Sequence, residues 1–372
     1  MLIIKEVKTK KDIKNFTYFP LKLYKNCPYY VPPFVNEELN LFNKNKNANL
    51  KDSDIVGFLA FKDNKLVGRI AGILQKTDNQ ITGKKRVRVS RIDFIDDLEV
   101  STALFDALFN WAKSIGMEEV HGPLGFNDLD REGLLIYGFD KLSAFEENYT
   151  YEYYPKHFEH YGFVKSVDWN EYSVKIPTVV DEKLNRLSDI VKKKYKLKLV
   201  EGKKNKIIDK YLNQIFDLIE ECYSPLYGVV PINEELKKQY CSQFKLIVSM
   251  DYLSLVTNEN DELVGFGLVF PSIAKAIQKT KGKILSFHIF SLLKAIKKND
   301  TVDLALVAVK PTYQTKGVAA VIMSKILTNL VKNGVKQAET LLQLENNSNI
   351  HALFKNFELD HHKDRRCYIK QI

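Results

Sequence analysis

Internal repetition limits the fold of this chain more than any other feature, because a unit that occurs twice must pack against a copy of itself. Asp63-Asn64-Lys65-Leu66-Val67-Gly68-Arg69-Ile70 and Asn260-Asp261-Glu262-Leu263-Val264-Gly265-Phe266-Gly267 each read as a polar hairpin turn, then Leu-Val-Gly, then a strand. At nearly the same offset, Leu2 to Val7 matches Lys196 to Glu201 as an opening strand. Ala103 to Ile115 is amphipathic and leads through Gly116 to Glu119-Val120-His121-Gly122, as Val321 to Lys332 leads through Gly334 to Ala338-Glu339-Thr340-Leu341. Tyr154 to Phe163 has its counterpart at Ile350 to Leu359. The spacing predicts two α/β units with mixed sheets, residues 1–176 and 177–372, joined near Ile176-Pro177.

The copies differ where chemistry is expected. In the second, Val302 to Val309 is an almost unbroken apolar run, as befits a strand covered on both faces, and Pro311 stops it. Gln314-Thr315-Lys316-Gly317-Val318-Ala319 follows, with a glycine and small residues where a ligand must approach the backbone. Val318, Val321, Ile322, Ile326, Leu327, Leu330 and Val331 then recur at helical spacing to about Lys332, so the unpaired first-turn amides form an anion site. At the same place the first copy reads Asp96-Asp97-Leu98-Glu99, without glycine and with three carboxylates. Those acids repel phosphate and suit a helix cap.

The strand ending Val307-Ala308-Val309, followed by Gln-x-x-Gly-x-Ala, resembles the pyrophosphate loop of the GNAT superfamily, the acyl-coenzyme-A-dependent N-acetyltransferases. Lys336 to Leu344 reads as the next strand, and Glu345 to Asn349 as the cap of a short helix, His351 to Phe357. Gly122-Pro123, Asn127-Asp128, Gly133-Leu134-Leu135 and Gly138-Phe139, with Val31-Pro32-Pro33-Phe34, resemble uncharacterised bacterial tandem members, which extends the likeness over most of the chain. The resemblance implies that the second copy alone binds acyl-coenzyme A, acetyl-coenzyme A being the usual donor. It implies contacts from Val307, Ala308, Val309, Gln314, Thr315, Lys316, Gly317, Val318 and Ala319, with Asn347 or Asn349 on the pantetheine arm. It implies acyl transfer to a small amine or a peptide. Glu345, at the strand end beside the expected thioester, is the candidate base, or else an acid capping the next helix. The family's thiolate-protonating Tyr falls on Phe354, which has no proton to give, and Phe158 stands there in the first copy. Tyr368 and Tyr313 are the remaining hydroxyls for that step. The missing acid keeps a catalytically inactive coenzyme-binding or interaction module open, as does an aminoacyl-transferase-like enzyme, since tandem relatives of that kind use no coenzyme A.

The loop from Gly122 to Asp140 is too long for a connector. Asn127, Asp128, Asp130, Arg131 and Glu132 either line an acceptor pocket or decorate a surface loop. The insertion from Ser272 to Asp300 alternates Ile, Leu and Phe with lysines, a pattern open to three readings: packing on its own domain, closing over a pocket, or lying on a membrane surface. Lys363-Asp364-Arg365-Arg366 either clamps a phosphate or decorates the last hairpin.

The net charge of +10 comes largely from lysines between Lys183 and Lys210 and between Lys275 and Lys298, without the aromatic interleaving expected of a nucleic-acid surface. Four cysteines lie scattered and no H-E-x-x-H, G-x-S-x-G or C-x-x-C occurs, so no metal, hydrolase triad or disulfide framework is expected. The N-terminal stretch lacks a signal peptide's apolar core and no apolar run has the length of a membrane span, which points to the cytoplasm.

Overall fold

The computed structural model describes residues 1–283, 286–297, 299–347, 354 and 357–372. The first half supplies strands β1 (Leu2–Glu6), β2 (Ser53–Lys62), β3 (Lys65–Gln75), β4 (Arg86–Phe94), β5 (Glu119–Gly122), β6 (Leu134–Tyr137) and β7 (Val164–Lys175). The second supplies β8 (Lys198–Leu199), β9 (Leu253–Thr257), β10 (Leu263–Pro271), β11 (Thr301–Val309), β12 (Gln337–Thr340), β13 (Gln343–Leu344) and β14 (Leu359–Gln371). They form one mixed sheet in the order β1-β2-β3-β4-β5-β14-β7-β12-β11-β10-β9-β8, with β6 on β14 and β13 on β7.

The two ends of that sheet repeat one pattern. β4 runs parallel to β5, and β11 parallel to β12, while each half's earlier strands pair antiparallel. Asp63 and Asn64, with φ of 50° and 64°, turn the first hairpin in the left-handed region that Asp and Asn tolerate best after glycine. The shared Leu-Val-Gly has a packing reason. A Cβ on Gly68 would lie 2.8 Å from Leu104 of the helix Leu98–Ser114, and one on Gly265 would lie 2.8 Å from Val318 of the helix Val318–Lys332. Each glycine lets its half's main helix lie flat on the sheet, over Val100, Leu104 and Leu108 in one half and Val318, Val321 and Ile322 in the other. Asp97 caps the first of these helices, accepting from the amides of Glu99 (3.0 Å) and Val100 (3.4 Å), as its acids led us to expect.

The centre of the sheet is an exchange. β14, the last strand of the chain, lies between β5 and β7, and β7, the last strand of the first half, reaches β12 and β13 of the second. Tyr368 on β14 is thus buried in the first half's core against Phe158, ring centres 5.1 Å apart, with its hydroxyl on Glu159. Lys363 and Arg365, 1% and 0% exposed, form a closed ion cluster with Glu147 and Glu171. The expectation that 363–366 clamps a phosphate or decorates a hairpin is therefore corrected for these two, whose charges are neutralised inside the fold. Arg366 pairs with Asp168 across β7.

The insertion is corrected as well. Its first helix, Ala274–Thr280, buries Ala274 and Ile277 against Val31 of the first half, and Gln278 donates to the carbonyls of Pro28 and Tyr30. It straps the second half to the first instead of packing on its own.

Candidate active site

β11 and β12 pair only from Thr301–Gln337 to Leu304–Thr340, and the register of β11 against β10 shifts past Leu304, leaving Ala305 outside it. Past Leu304, β11 pairs with β10 alone, so the parallel pair is split at this slot. Tyr223, at the end of the helix Lys204–Tyr223, reaches this edge, donating to the carbonyl of Val307 (3.0 Å) and accepting from its amide (3.3 Å). Burial pushes its phenol well above the ordinary range. Nothing in the residue pattern singles out Tyr223, which reads as one more aromatic on an amphipathic helix.

At the end of β11, Pro311–Lys316 forms a 3-10 turn instead of an open loop, and Gly317 follows with φ of 78°. That conformation favours glycine. A Cβ here would also lie 2.9 Å from Val191 of the helix Glu182–Tyr195, so Gly317 has two reasons to lack one. The helix Val318–Lys332 starts here, with no side chain capping it. Gln314 folds back onto the carbonyl of Val309 (3.2 Å), Gln314 and Thr315 are exposed, and the Lys316 ammonium lies 4.0 Å from the Tyr313 ring centre. Val318 is buried under the turn and Ala319 half-buried, so the outer surface of the bend carries main chain and short side chains. Such a terminus suits a diphosphate, whose charge the helix dipole favours.

Around the slot the other expected residues fall into distinct groups. Asn347 is within the described residues; Asn349 and the expected helix from His351 lie mostly outside them, and Phe354 is buried in the second half's core. Glu345 has both oxygens engaged, one on the Lys165 ammonium (2.7 Å) and one on the amide of Asp168 (3.1 Å). Tyr368, as described, sits in the other half's core, and Tyr313 lies beside the bend at Gly317.

The loop after β5 comes across to the same region, and its five polar residues divide. Asp130 is fixed by Arg91 (2.7 and 3.0 Å) and by the amides of Phe126 and Arg131. Burial would raise its pKa, but Arg91 and these amides hold it below the ordinary value. Arg131 donates to the carbonyls of Val31 and Phe145 and stacks on the Phe145 ring, and Asn127 bridges Asn49 and the amide of Leu129. These three build the loop. Asp128 accepts a hydrogen bond from its own amide, and neither it nor Glu132 is bonded to another side chain among the described residues. Burial pushes Asp128 up to about 6, and pushes Glu132, with Asp128 beside it, well above the ordinary value.

An α/β protein with a split parallel pair, an uncapped helix terminus beyond it and a second copy facing it has the architecture of a tandem acyltransferase fold. Residues 212–358 match the acetyltransferase (GNAT) family. A tandem GNAT protein from the clavulanic acid biosynthesis pathway superposes with a TM-score of 0.57 at 10% identity, covering 100% of this chain and 98% of that one. A GCN5-related N-acetyltransferase from Sphaerobacter thermophilus gives 0.53 at 9% identity, over 100% and 95%. Protein YghO of Escherichia coli (strain K12) is 26% identical over 100% of this chain and 95% of its own length. Bacterial ceramide synthase of Caulobacter vibrioides (strain NA1000 / CB15N) is 24% identical over 98% and 96%. Residues 212–358 thus resemble a GNAT-family domain, and the whole chain has the fold of a tandem GNAT protein. No described helix is long and apolar enough to cross a membrane, and no group of three or more metal-binding side chains occurs among the described residues.

Proposed function

We propose that this protein is an acyl-coenzyme-A-dependent N-acyltransferase whose acceptor is a long-chain amino alcohol. The end-to-end likeness to a bacterial ceramide synthase carries this reading, since a ceramide is by definition the amide of a fatty acid and such an amine. In the proposal the halves divide the work: residues 177–372 hold the coenzyme and residues 1–176 present the acceptor. The diphosphate lies on the amides after Gly317, flanked by Gln314, Thr315, Lys316, Val318 and Ala319. The pantetheine arm follows Val307, Ala308 and Val309, with Asn347 and Asn349 on its far side. The acyl group is a long chain, in place of the acetyl group usual in the superfamily.

Tyr223 stands at the slot where the thioester would lie and takes the place of the absent Tyr at Phe354, protonating the thiolate as it leaves. The amide of Val307, which now faces that hydroxyl, turns to the thioester oxygen when Tyr223 moves onto sulfur.

The test is thiol release and product mass with palmitoyl- and acetyl-coenzyme A against long-chain amino alcohols, short polyamines and a peptide amine. The expected result is an amide from the long acyl donor and long-chain amine, with turnover lowered at least tenfold in Tyr223→Phe. Coenzyme binding without thiol release from any amine would favour the inactive binding module. Stabilisation by aminoacyl-tRNA alone would favour an aminoacyl transferase.

A further inference from the structure

We propose that the helix Glu182–Tyr195 is a docking face for an anionic lipid bilayer, set beside the bend at Gly317 so that long-chain substrates are met at the membrane surface. The docking goes beyond the acyl-transfer reading and is measured without it; only its purpose rests on that reading.

Ser188 and Val191 are buried, and Leu184 and Tyr195 half-buried, against the core that holds Val318, Val321 and Ile322. On the same side Asn185 accepts from the Ser324 hydroxyl (2.7 Å). These contacts fix which way the rest of the helix points. At about 100° per residue, Leu187, Lys194, Lys183, Ile190, Arg186 and Lys193 follow one another around the remaining side within an arc of roughly 120°.

Leu187 is 47% and Ile190 60% exposed, one turn apart, and Val179 is exposed just ahead of the helix. A helix that only covered its own core would carry polar residues at both positions. The lysines around them are unbalanced. The helix acids Glu182 and Asp189 pair with Arg186 (2.9 Å) and Lys192 (2.9 Å), leaving Lys183, Lys193 and Lys194 exposed and paired with no carboxylate among the described residues.

Exposed apolar side chains ringed by cations fit one kind of surface. An anionic bilayer offers phosphates to the lysines and, beneath them, acyl chains to Leu187 and Ile190. A nucleic acid would satisfy the lysines and leave both apolar groups in water. A second copy of this chain would bring like charges together across a two-fold axis. The insertion's helix Ala274–Thr280 is not free for such a role, being committed to Val31.

Position gives the face its use. Val191, on the inner side of the same helix, would lie 2.9 Å from a Cβ on Gly317, and the Lys316 ammonium lies 5.8 Å from the Tyr195 ring centre. A bilayer against Leu187 and Ile190 is therefore about one helix diameter, roughly 10 Å, from the bend. Long acyl chains and long-chain amines partition into that surface, so docking concentrates both where the coenzyme would be held.

The test is flotation of the full chain with vesicles of phosphatidylcholine alone, or of two-thirds phosphatidylcholine and one-third phosphatidylglycerol. The wild type is expected to bind the anionic vesicles at least about tenfold more tightly than the neutral ones, and less as salt rises. Leu187→Ser with Ile190→Ser lowers that binding about tenfold or more. Lys183→Gln, Lys193→Gln and Lys194→Gln together lower it by a similar factor and flatten the salt dependence. Ile81→Ser, at an apolar residue 63% exposed on the first half, leaves it unchanged. Every altered side chain is exposed, and an unchanged urea midpoint reports that each variant is folded. A wild type that ignores anionic vesicles, or whose binding survives both sets of substitutions, overturns the inference. Binding of an RNA oligonucleotide in place of vesicles, or a dimer that the serine pair dissolves, assigns the face to another partner and overturns it too. Thiol release from detergent-dispersed substrates stays at the wild-type rate in both sets. Its absence in the wild type, with vesicle binding intact, would instead sink the acyl-transfer reading and leave the docking face standing.

Discussion

Gly317→Ala tests the phosphate bend through two separable costs. The first is conformational: at φ of 78° an L-residue with a Cβ sits in the left-handed region, about 1–2 kcal/mol above its ordinary conformations. The second is steric, because the new methyl would lie 2.9 Å from Val191, a buried, branched residue that cannot swing away, and overpacking of this kind costs about 1–3 kcal/mol. Gly334 isolates the first cost. It has φ of 71° with nothing within 4 Å of its would-be Cβ, so Gly334→Ala should lose only the conformational part. Urea denaturation should therefore order the variants wild type, Gly334→Ala, Gly317→Ala, the last two separated by at least 1 kcal/mol or so. Gly317→Ala with Val191→Ala should regain part of the steric cost in a double-mutant cycle. Calorimetry then reads the function. If the turn yields to the methyl, the amides of Val318 and Ala319 lose their aim, and losing one charge-assisted hydrogen bond lowers coenzyme affinity roughly tenfold or more. Gly334→Ala leaves that affinity alone. Equal stability losses at Gly317 and Gly334, together with unchanged coenzyme binding, would refute both the geometry and the site.

Three further outcomes follow from the interior. Arg365→Met leaves Lys363 alone against the buried carboxylates of Glu171 and Glu147, one negative charge in excess, so urea unfolding should show a loss of about 3–5 kcal/mol, partly returned when Glu171→Gln is added. Because β7 and β14 each complete the other half's sheet, calorimetry of the whole chain should give one cooperative transition, and a 1–176 fragment, lacking Tyr368 and β14, should not fold alone; two independent transitions would contradict this. Burial, reinforced by Arg86 and Arg88, holds the His121 imidazole well below its ordinary pKa. Below about pH 6.5 the unfolded chain binds a proton there that the folded chain refuses, so stability falls with acidification by up to about 1.4 kcal/mol per pH unit, and His121→Gln should remove that one-proton slope from pH titrations of stability.

What the sequence disclosed was whatever depends on neighbours along the chain. The helix Val318–Lys332 was legible because its apolar period is local, and so was the Asp97 cap, which needs only its own first turn. The repeat was legible because the same packing demand, a glycine under a helix, recurs in both halves. The expected strand from Lys336 to Leu344 instead breaks at Leu341 and Leu342, where β7 takes β12 and β13 in separate registers. That exchange has no sequence signal, since an alternating strand fits either sheet equally well. Lys363 and Arg365 looked like surface because charge is usually solvated, and only the arrival of Glu147 and Glu171 from distant segments makes their burial tolerable.

The candidate site follows the same logic. Asn127, Asp128, Asp130, Arg131 and Glu132 stood out together as a dense polar loop, yet composition alone could not sort them. Sorting requires knowing which of them find partners on folding. Three do, in Asn49, Arg91 and the Val31 carbonyl, and those contacts stiffen the loop that carries the other two. Tyr223 belongs to the opposite half and was invisible for the opposite reason, since its amphipathic helix explains an aromatic there without any reference to the hydroxyl. Only folding brings that hydroxyl to the Val307 peptide on β11, a contact between segments distant in the chain that no local pattern announces.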